Sequence, residues 1–191
     1  MSKRRIIIGV TGYIAAGKGT FTDILKNEFG FAYSAFVDRV RELAAMQFKE
    51  LTRENLQYTG NHTQKLFGPD VFARLIAAQI WAEQKEKVVV ECIRNPQEYA
   101  FLAQHPDFFM VAVTAPLAVR FARLQARNRE GDPKTLQEFF VVDQRDRGIG
   151  QDLSGQQVDR CIGLAEFKFE NSSTKEEFET QVRDFIKLLQ G

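Results

Sequence analysis

Gly12-Tyr13-Ile14-Ala15-Ala16-Gly17-Lys18-Gly19-Thr20 is the stretch that decides the fold. It follows a short apolar run, residues 5–11 (Arg-Ile-Ile-Ile-Gly-Val-Thr), and precedes a helical pattern from about Phe21 to Phe29. An apolar run of that length reads as a strand buried on both faces. Between a strand and a helix, the spacing Gly-x4-Gly-Lys is the phosphate-binding P-loop pattern. Its successive backbone N–H groups line a concavity for phosphate oxygens, and the following helix directs its positive end at the same anion. Glycines keep side chains out of the phosphate's way, so Gly12, Ala15, Ala16, Gly17 and Gly19 are expected to form the cradle. Lys18 is expected to reach the β- and γ-phosphates of the nucleotide. A strand-turn-helix with incidental glycines is the alternative, outweighed by motif and context together.

Outward from the loop, strands and helices alternate. Val88–Ile93 and Phe108–Val113 read as further buried strands and Ala165–Asn171 as a final one. Helical patterns cover 36–58, 69–84 with Pro69 in the first turn, Gln97–Ala103, Pro116–Arg129, Leu136–Arg147 and Lys175–Leu189. Thr59-Gly-Asn-His-Thr63 and Gly148–Gly155 read as loops. This order predicts an α/β fold, a parallel sheet flanked by helices, in one domain over 1–191.

Composition narrows the function classes. Lys and Arg number 26 against 25 Asp and Glu, a net charge of +1, so no global field draws nucleic acid or an acidic membrane. Cys92, Cys161, His62 and His105 have neither zinc-site nor disulfide spacing, and the two cysteines read as reduced thiols of a cytoplasmic protein. No run reaches the roughly 18 apolar residues of a membrane span. Basic Met1-Ser-Lys-Arg-Arg precedes Ile6-Ile-Ile-Gly-Val, but that apolar stretch is too short for a signal peptide and enters the glycine-rich turn.

With Gly17-Lys18-Gly19-Thr20 in hand, the chain resembles the adenylate-kinase-like nucleoside monophosphate kinases, and among them a branch related to dephospho-coenzyme A kinase. Gly-Lys-Gly-Thr is the adenylate-kinase variant of the loop, and Gly19 stands where Ser or Thr usually follows the lysine. The resemblance implies ATP and Mg²⁺, with Thr20 touching phosphate or metal. In that branch the second buried strand ends in an acid followed by Gly-Ile-Arg; here it reads Glu91-Cys92-Ile93-Arg94. Glu91 is then a Mg²⁺ ligand, directly or through water, and Arg94 grips the acceptor's phosphate. The alternatives are a strand-end carboxylate paired with a lysine and a surface arginine.

Arg123 and Arg127 lie four apart, on one helix face. They resemble the arginines leading into the adenylate-kinase lid, which implies stacking on adenine for Arg123 and a phosphate contact for Arg127. Arg120 and Arg129 have less defined parts. Residues 128–142 are then a short lid without cysteines. Arg145 and Arg147 beyond it are expected to neutralise charge on the transferring phosphoryl group, against the alternative of a salt-bridged surface helix. Gly150–Cys161 resembles a segment of the kinase-like module attached to deoxycytidylate-deaminase-like proteins, but the His-x-Glu and Pro-Cys-x-x-Cys signature is missing, which argues against deamination. Asn171-Ser-Ser-Thr is a loop expected near the base.

On the acceptor side, about 36–74, Asp38, Arg39 and Arg74 are the candidate contacts, with a solvated helix face as the alternative. The resulting expectation is phosphoryl transfer from ATP·Mg²⁺ to a small nucleotide acceptor. Dephospho-coenzyme A kinase and a nucleotide-binding regulatory module without turnover are the rivals.

Overall fold

The computed structural model describes residues 5–129 and 131–190; Met1–Arg4, Glu130 inside the expected lid, and Gly191 lie outside the described residues. The elements run β1 (Ile6–Gly12), α1 (Lys18–Phe29), β2 (Ala32–Ala35), α2 (Phe36–Ala45), α3 (Arg53–Phe67), α4 (Val71–Ala82), β3 (Lys87–Glu91) and α5 (Pro96–Leu102). They continue with β4 (Phe108–Thr114), α6 (Leu117–Arg127), α7 (Leu136–Arg147), α8 (Val158–Leu164), β5 (Phe167–Glu170) and α9 (Lys175–Gln190). Strand order is β2-β3-β1-β4-β5, and every pair is parallel.

The central strand explains its own sequence. Ile6, Ile8 and Val10 of β1 face Phe21 and Leu25 of α1 and Phe178 and Val182 of α9. Ile7 faces the other way, into a cluster with Phe72, Ile76 and Ile80 of α4. Covered on both faces, β1 needs an unbroken apolar run rather than alternation. Each fully buried side chain of the size of Ile8 or Phe21 contributes roughly 1.5–3 kcal/mol. The phenylalanine richness has a similar cause: Phe21, Phe167, Phe169 and Phe185 stack between α1, β5 and α9, with ring centroids 4.8–6.4 Å apart.

Two expectations fail locally. The helix expected over 36–58 is broken at Met46–Thr52, where Thr52 caps α3 by accepting from the Asn55 amide at 3.2 Å. The loop expected at Thr59–Thr63 is the middle of α3. There the Thr59 hydroxyl, buried, donates back to the Asn55 carbonyl at 2.9 Å, and packing of α3 on α2 overrides the turn propensity of Thr-Gly-Asn. The four-residue edge strand β2 carried no sequence signal. Half of the expected lid, from Leu136 on, is the start of α7.

Candidate functional site

All five strands are parallel, so their C-terminal ends share one edge, and there the chain opens a cleft of about 1490 Å³. A pocket for one drug-sized ligand measures about 300–1,000 Å³; this cleft has room for two such ligands.

Its floor is the glycine-rich loop. Gly12, Ala15, Ala16, Gly17, Lys18, Gly19 and Thr20 all line it. Gly17 caps α1 in the left-handed region (φ 109°), and Ala15 is left-handed too (φ 59°). The first-turn amides of α1 have no carbonyl of their own helix to meet. A Cβ on Gly17 would come within 2.2 Å of the Asn171 side chain, so glycine is required by both φ and space. Lys18 Nζ donates to the carbonyls of Gly12 (2.9 Å) and Tyr13 (2.8 Å). Burial lowers its pKa below the ordinary lysine value, so a phosphate arriving beside it meets a poorly solvated cation.

Asn171, at the end of β5, is the loop's anchor. Its Nδ2 donates to the Ala16 carbonyl at 2.9 Å and its Oδ1 accepts from Arg123 Nη2 at 3.0 Å. Arg123 is thereby held at the cleft wall beside the loop. Under the same loop, Arg120 is buried and forks onto Asp143 (2.5 and 3.1 Å), with the Ala115 and Ile14 carbonyls completing its donors. Arg120 therefore binds α6 to α7 and to the loop, and is spent structurally.

The opposite wall is the β3–α5 turn. Glu91, Cys92 and Arg94 line the cleft, and the Tyr33 hydroxyl of β2 donates to Glu91 at 2.8 Å. Glu91 thus pairs with a tyrosine, not a lysine. Burial and the adjoining Glu91 carboxylate raise the Tyr33 pKa, so it stays a donor. Cys92 takes φ 72°, a left-handed backbone natural to the glycine it replaces in the related branch. Its sulfur lies 3.8 Å from Arg94 Nη2.

The Gly150–Cys161 segment, opaque in sequence, buttresses that turn. Asn95 Nδ2 donates to the Leu153 and Gly155 carbonyls (both 2.9 Å), and the Gln157 amide donates to the Arg94 carbonyl at 2.7 Å. With its amide oriented to satisfy both neighbours, Gln156 accepts from Arg94 Nη1 at 3.1 Å and donates to Asp146 at 2.9 Å. Glu98 closes the turn as the capping-box acid of α5, accepting from the Arg94 and Asn95 amides (2.9 and 3.0 Å) and from Gln64 Nε2 at 3.2 Å. Burial pushes its pKa up to about 7, against the pull of the two amides.

The arginines divide. Arg127 lines the cleft and forks onto Asp132, between α6 and α7, both contacts 2.8 Å. Asp132 is held below the usual carboxylate pKa by that hydrogen bond. Arg145 also lines the cleft and reaches across it to Gln57 of α3 at 2.9 Å. Arg147 does not join them: it pairs with Asp159 of α8 at 3.0 Å and lies over the Tyr13 ring, outside the lining. Residues two apart on a helix are about 200° apart around its axis, so Arg145 and Arg147 cannot serve one cleft.

The acceptor candidates are likewise elsewhere. Asp38 pairs with Arg41, Arg39 with Glu42 at 2.9 Å, and Arg74 with Asp70 and the Phe67 carbonyl at the α3–α4 corner. All three lie outside the cleft lining, each ion-paired with a residue three or four positions away. The cleft wall on that side is instead formed by Phe36, Val40, Gln57, Gly60, Asn61 and Gln64, with Arg41, Glu50 and Glu54 beside them.

For Mg²⁺, Thr20 and Glu91 offer hard oxygen donors at the cleft and leave further positions to water and phosphate, which suits that ion. Among the described residues, no helix is long and apolar enough to cross a membrane.

A family model described as AAA domain matches residues 8–143. A UPF0200 protein of Hyperthermus butylicus is 30% identical over 187 residues, spanning 98% of this chain and 96% of its own. A UPF0200/UPF0201 protein of Archaeoglobus fulgidus is also 30% identical over 187 residues, and the chain spans 55% of that longer relative. Among solved structures, TT1252 from Thermus thermophilus superposes with a TM-score of 0.64 at 22% identity, covering 99% of this chain and 100% of its own. The shikimate kinase of Acinetobacter baumannii, in complex with shikimate, gives 0.59 at 13%, covering 98% and 94%. At such identities the likeness shows the fold. From loop, sheet order and family match together, the chain belongs to the AAA domain family and has the fold of the P-loop kinases.

Proposed function

We propose that the protein transfers the γ-phosphoryl group of ATP to a small nucleotide acceptor, a nucleoside monophosphate or a close analogue. The observation that carries this reading is one cleft with the phosphate loop at one end and, at the other, a wall of apolar and carboxamide side chains with Arg41 and Glu54 beside them. A kinase needs little covalent chemistry from its side chains; positioning and charge stabilisation dominate. The loop amides and Lys18 hold the donor phosphates. Arg123, anchored by Asn171, lies against the base, and Arg127 leaves Asp132 for the donor phosphates. Thr20 and Glu91 would hold Mg²⁺, which screens the charge growing on the phosphate oxygens. Arg94 positions the acceptor, and Arg145 meets the equatorial oxygens. The acceptor oxygen attacks the γ-phosphorus in line as the bond to the β–γ bridging oxygen breaks, releasing ADP.

In this reading residues 36–74 form the acceptor region and residues 128–142 a short lid, all within one domain. Asp38, Arg39, Arg74 and Arg147 have no part in the chemistry. The two free cysteines suit a reducing cytoplasm. The test is ADP release from ATP and Mg²⁺ with each ribo- and deoxynucleoside monophosphate, and with dephospho-coenzyme A. Release stimulated by one nucleotide names the substrate. Stimulation by dephospho-coenzyme A alone moves the protein to that kinase, and tight ATP binding with no stimulation leaves a regulatory module.

A further inference from the structure

We propose that Gly60 is a specificity-determining residue: the face of α3 it clears is the seat of a flat heterocyclic base, the base of the acceptor nucleotide. This rests on the acceptor half of the reading above. Gly60 sits in the middle of α3, where glycine is the poorest helix former after proline. Two local reasons for a helical glycine fail here. Its φ is not among the positive values, so no backbone conformation demands it. A Cβ built there would meet only the Val40 methyl groups of α2, at 3.8 and 3.9 Å, which is ordinary contact, so the packing of α2 on α3 does not demand it either.

What remains is the cleft. Gly60 and Val40 both line it, so the volume left by the missing side chain opens on the cleft wall. Gln57 and Gln64 stand one turn either side of Gly60 on the same helix face, at i−3 and i+4, and the adjacent Asn61 lines the cleft beside them. The Asn61 carboxamide makes no hydrogen bond among those of the described residues, and it is exposed. A bare patch of helix backbone admits a ring at close approach, the Phe36 and Val40 side chains give it an apolar wall, and the Asn61 carboxamide offers a donor and an acceptor to its edge, while Gln57 and Gln64 are held by Arg145 and Glu98. Carboxamides pair with base edges that present a donor beside an acceptor.

The test sets stability against binding. In Gly60→Ala the unfolding midpoint is expected to rise by about 2–4 °C, because alanine is the better helix former. ATP affinity stays within about twofold, and the Kd and KM for the nucleoside monophosphate rise at least about tenfold. Gly60→Leu, with a longer side chain over the same patch, removes acceptor binding from the titration while ATP still binds. Unchanged acceptor affinity in Gly60→Ala overturns the assignment. So does a variant that loses stability or ATP together with the acceptor, since the glycine is then architectural. Wild-type protein that binds no nucleoside monophosphate overturns it as well. A monophosphate that binds but is never phosphorylated defeats the kinase reading alone, and the Kd comparison still decides on Gly60.

Discussion

The phosphate-loop half of the cleft and the half proposed for the acceptor are built by different means. The donor half is nearly contiguous: Gly12 to Thr20 supply it from one turn, with Asn171 and Arg123 locking it from behind. Its recognition elements are backbone amides, which any sequence with the right glycines presents. The half proposed for the acceptor comes from α2, α3 and the turns around Arg94 and Gln156, and it presents side chains placed by tertiary packing. Phosphate is a constant ligand and can be met by constant geometry. An acceptor that differs from enzyme to enzyme calls for variable side chains.

The most forceful way to break this contrast is to remove the foundation of the donor half. Side-chain exposure is 3% for Arg120 and 1% for Asp143, with the guanidinium also bonded to the Ile14 carbonyl inside the loop. Asp143→Ala leaves a buried, uncompensated cation and is expected to cost about 3–5 kcal/mol. Replacing both partners with apolar residues of similar volume should recover much of that loss. Urea unfolding of the single and double variants measures it. A cost below about 1 kcal/mol for Asp143→Ala would show that the loop is not anchored there.

Next in size is Lys18→Ala. Deleting one preorganised group that stabilises transition-state charge typically costs about 10²–10³ in kcat, and Lys18 is expected to reach at least that while the circular dichroism spectrum is unchanged. Near wild-type turnover would detach the lysine, and with it the donor assignment, from the chemistry.

Much of the cleft lining was legible for the same reason that the two halves differ. The loop, the strands on either side and the acid-to-arginine turn at Glu91–Arg94 are local patterns with local causes. The contacts that complete them are not local: Tyr33 meets Glu91 from an edge strand of four residues, and Gln156 reaches Arg94 from a loop 62 positions on. Asp38, Arg39 and Arg74 carried charge suited to an acceptor, yet charge on a helix finds a partner three or four residues away first. One error was avoidable from sequence: Arg145 and Arg147, two apart on one helix, face different surroundings by periodicity alone. Gly60 shows the converse. Thr-Gly-Asn resembles a turn, and only the packing of α3 reveals a helical glycine.

The mildest effect, and the one that sharpens the acceptor half, comes from pH. Glu98 joins the Arg94 turn to Gln64 of α3 and is buried, with its pKa pushed from an ordinary 4.5 up to about 7. Between those values the folded protein binds a proton that the unfolded chain does not. The contribution to stability is therefore fully present below about pH 4.5, falls as pH rises, and is gone above about pH 7. The full span corresponds to at most about 3 kcal/mol, spread over more than two pH units. Glu98→Gln keeps a side chain that a capping box accepts but cannot ionise. The variant should hold a flatter stability profile than wild type from pH 5 to 8, with the two diverging as pH rises, read from urea midpoints at constant ionic strength. Parallel profiles would mean that the two backbone amides of Arg94 and Asn95 already hold Glu98 ionised, and the turn that carries Arg94 would then be indifferent to pH across this range.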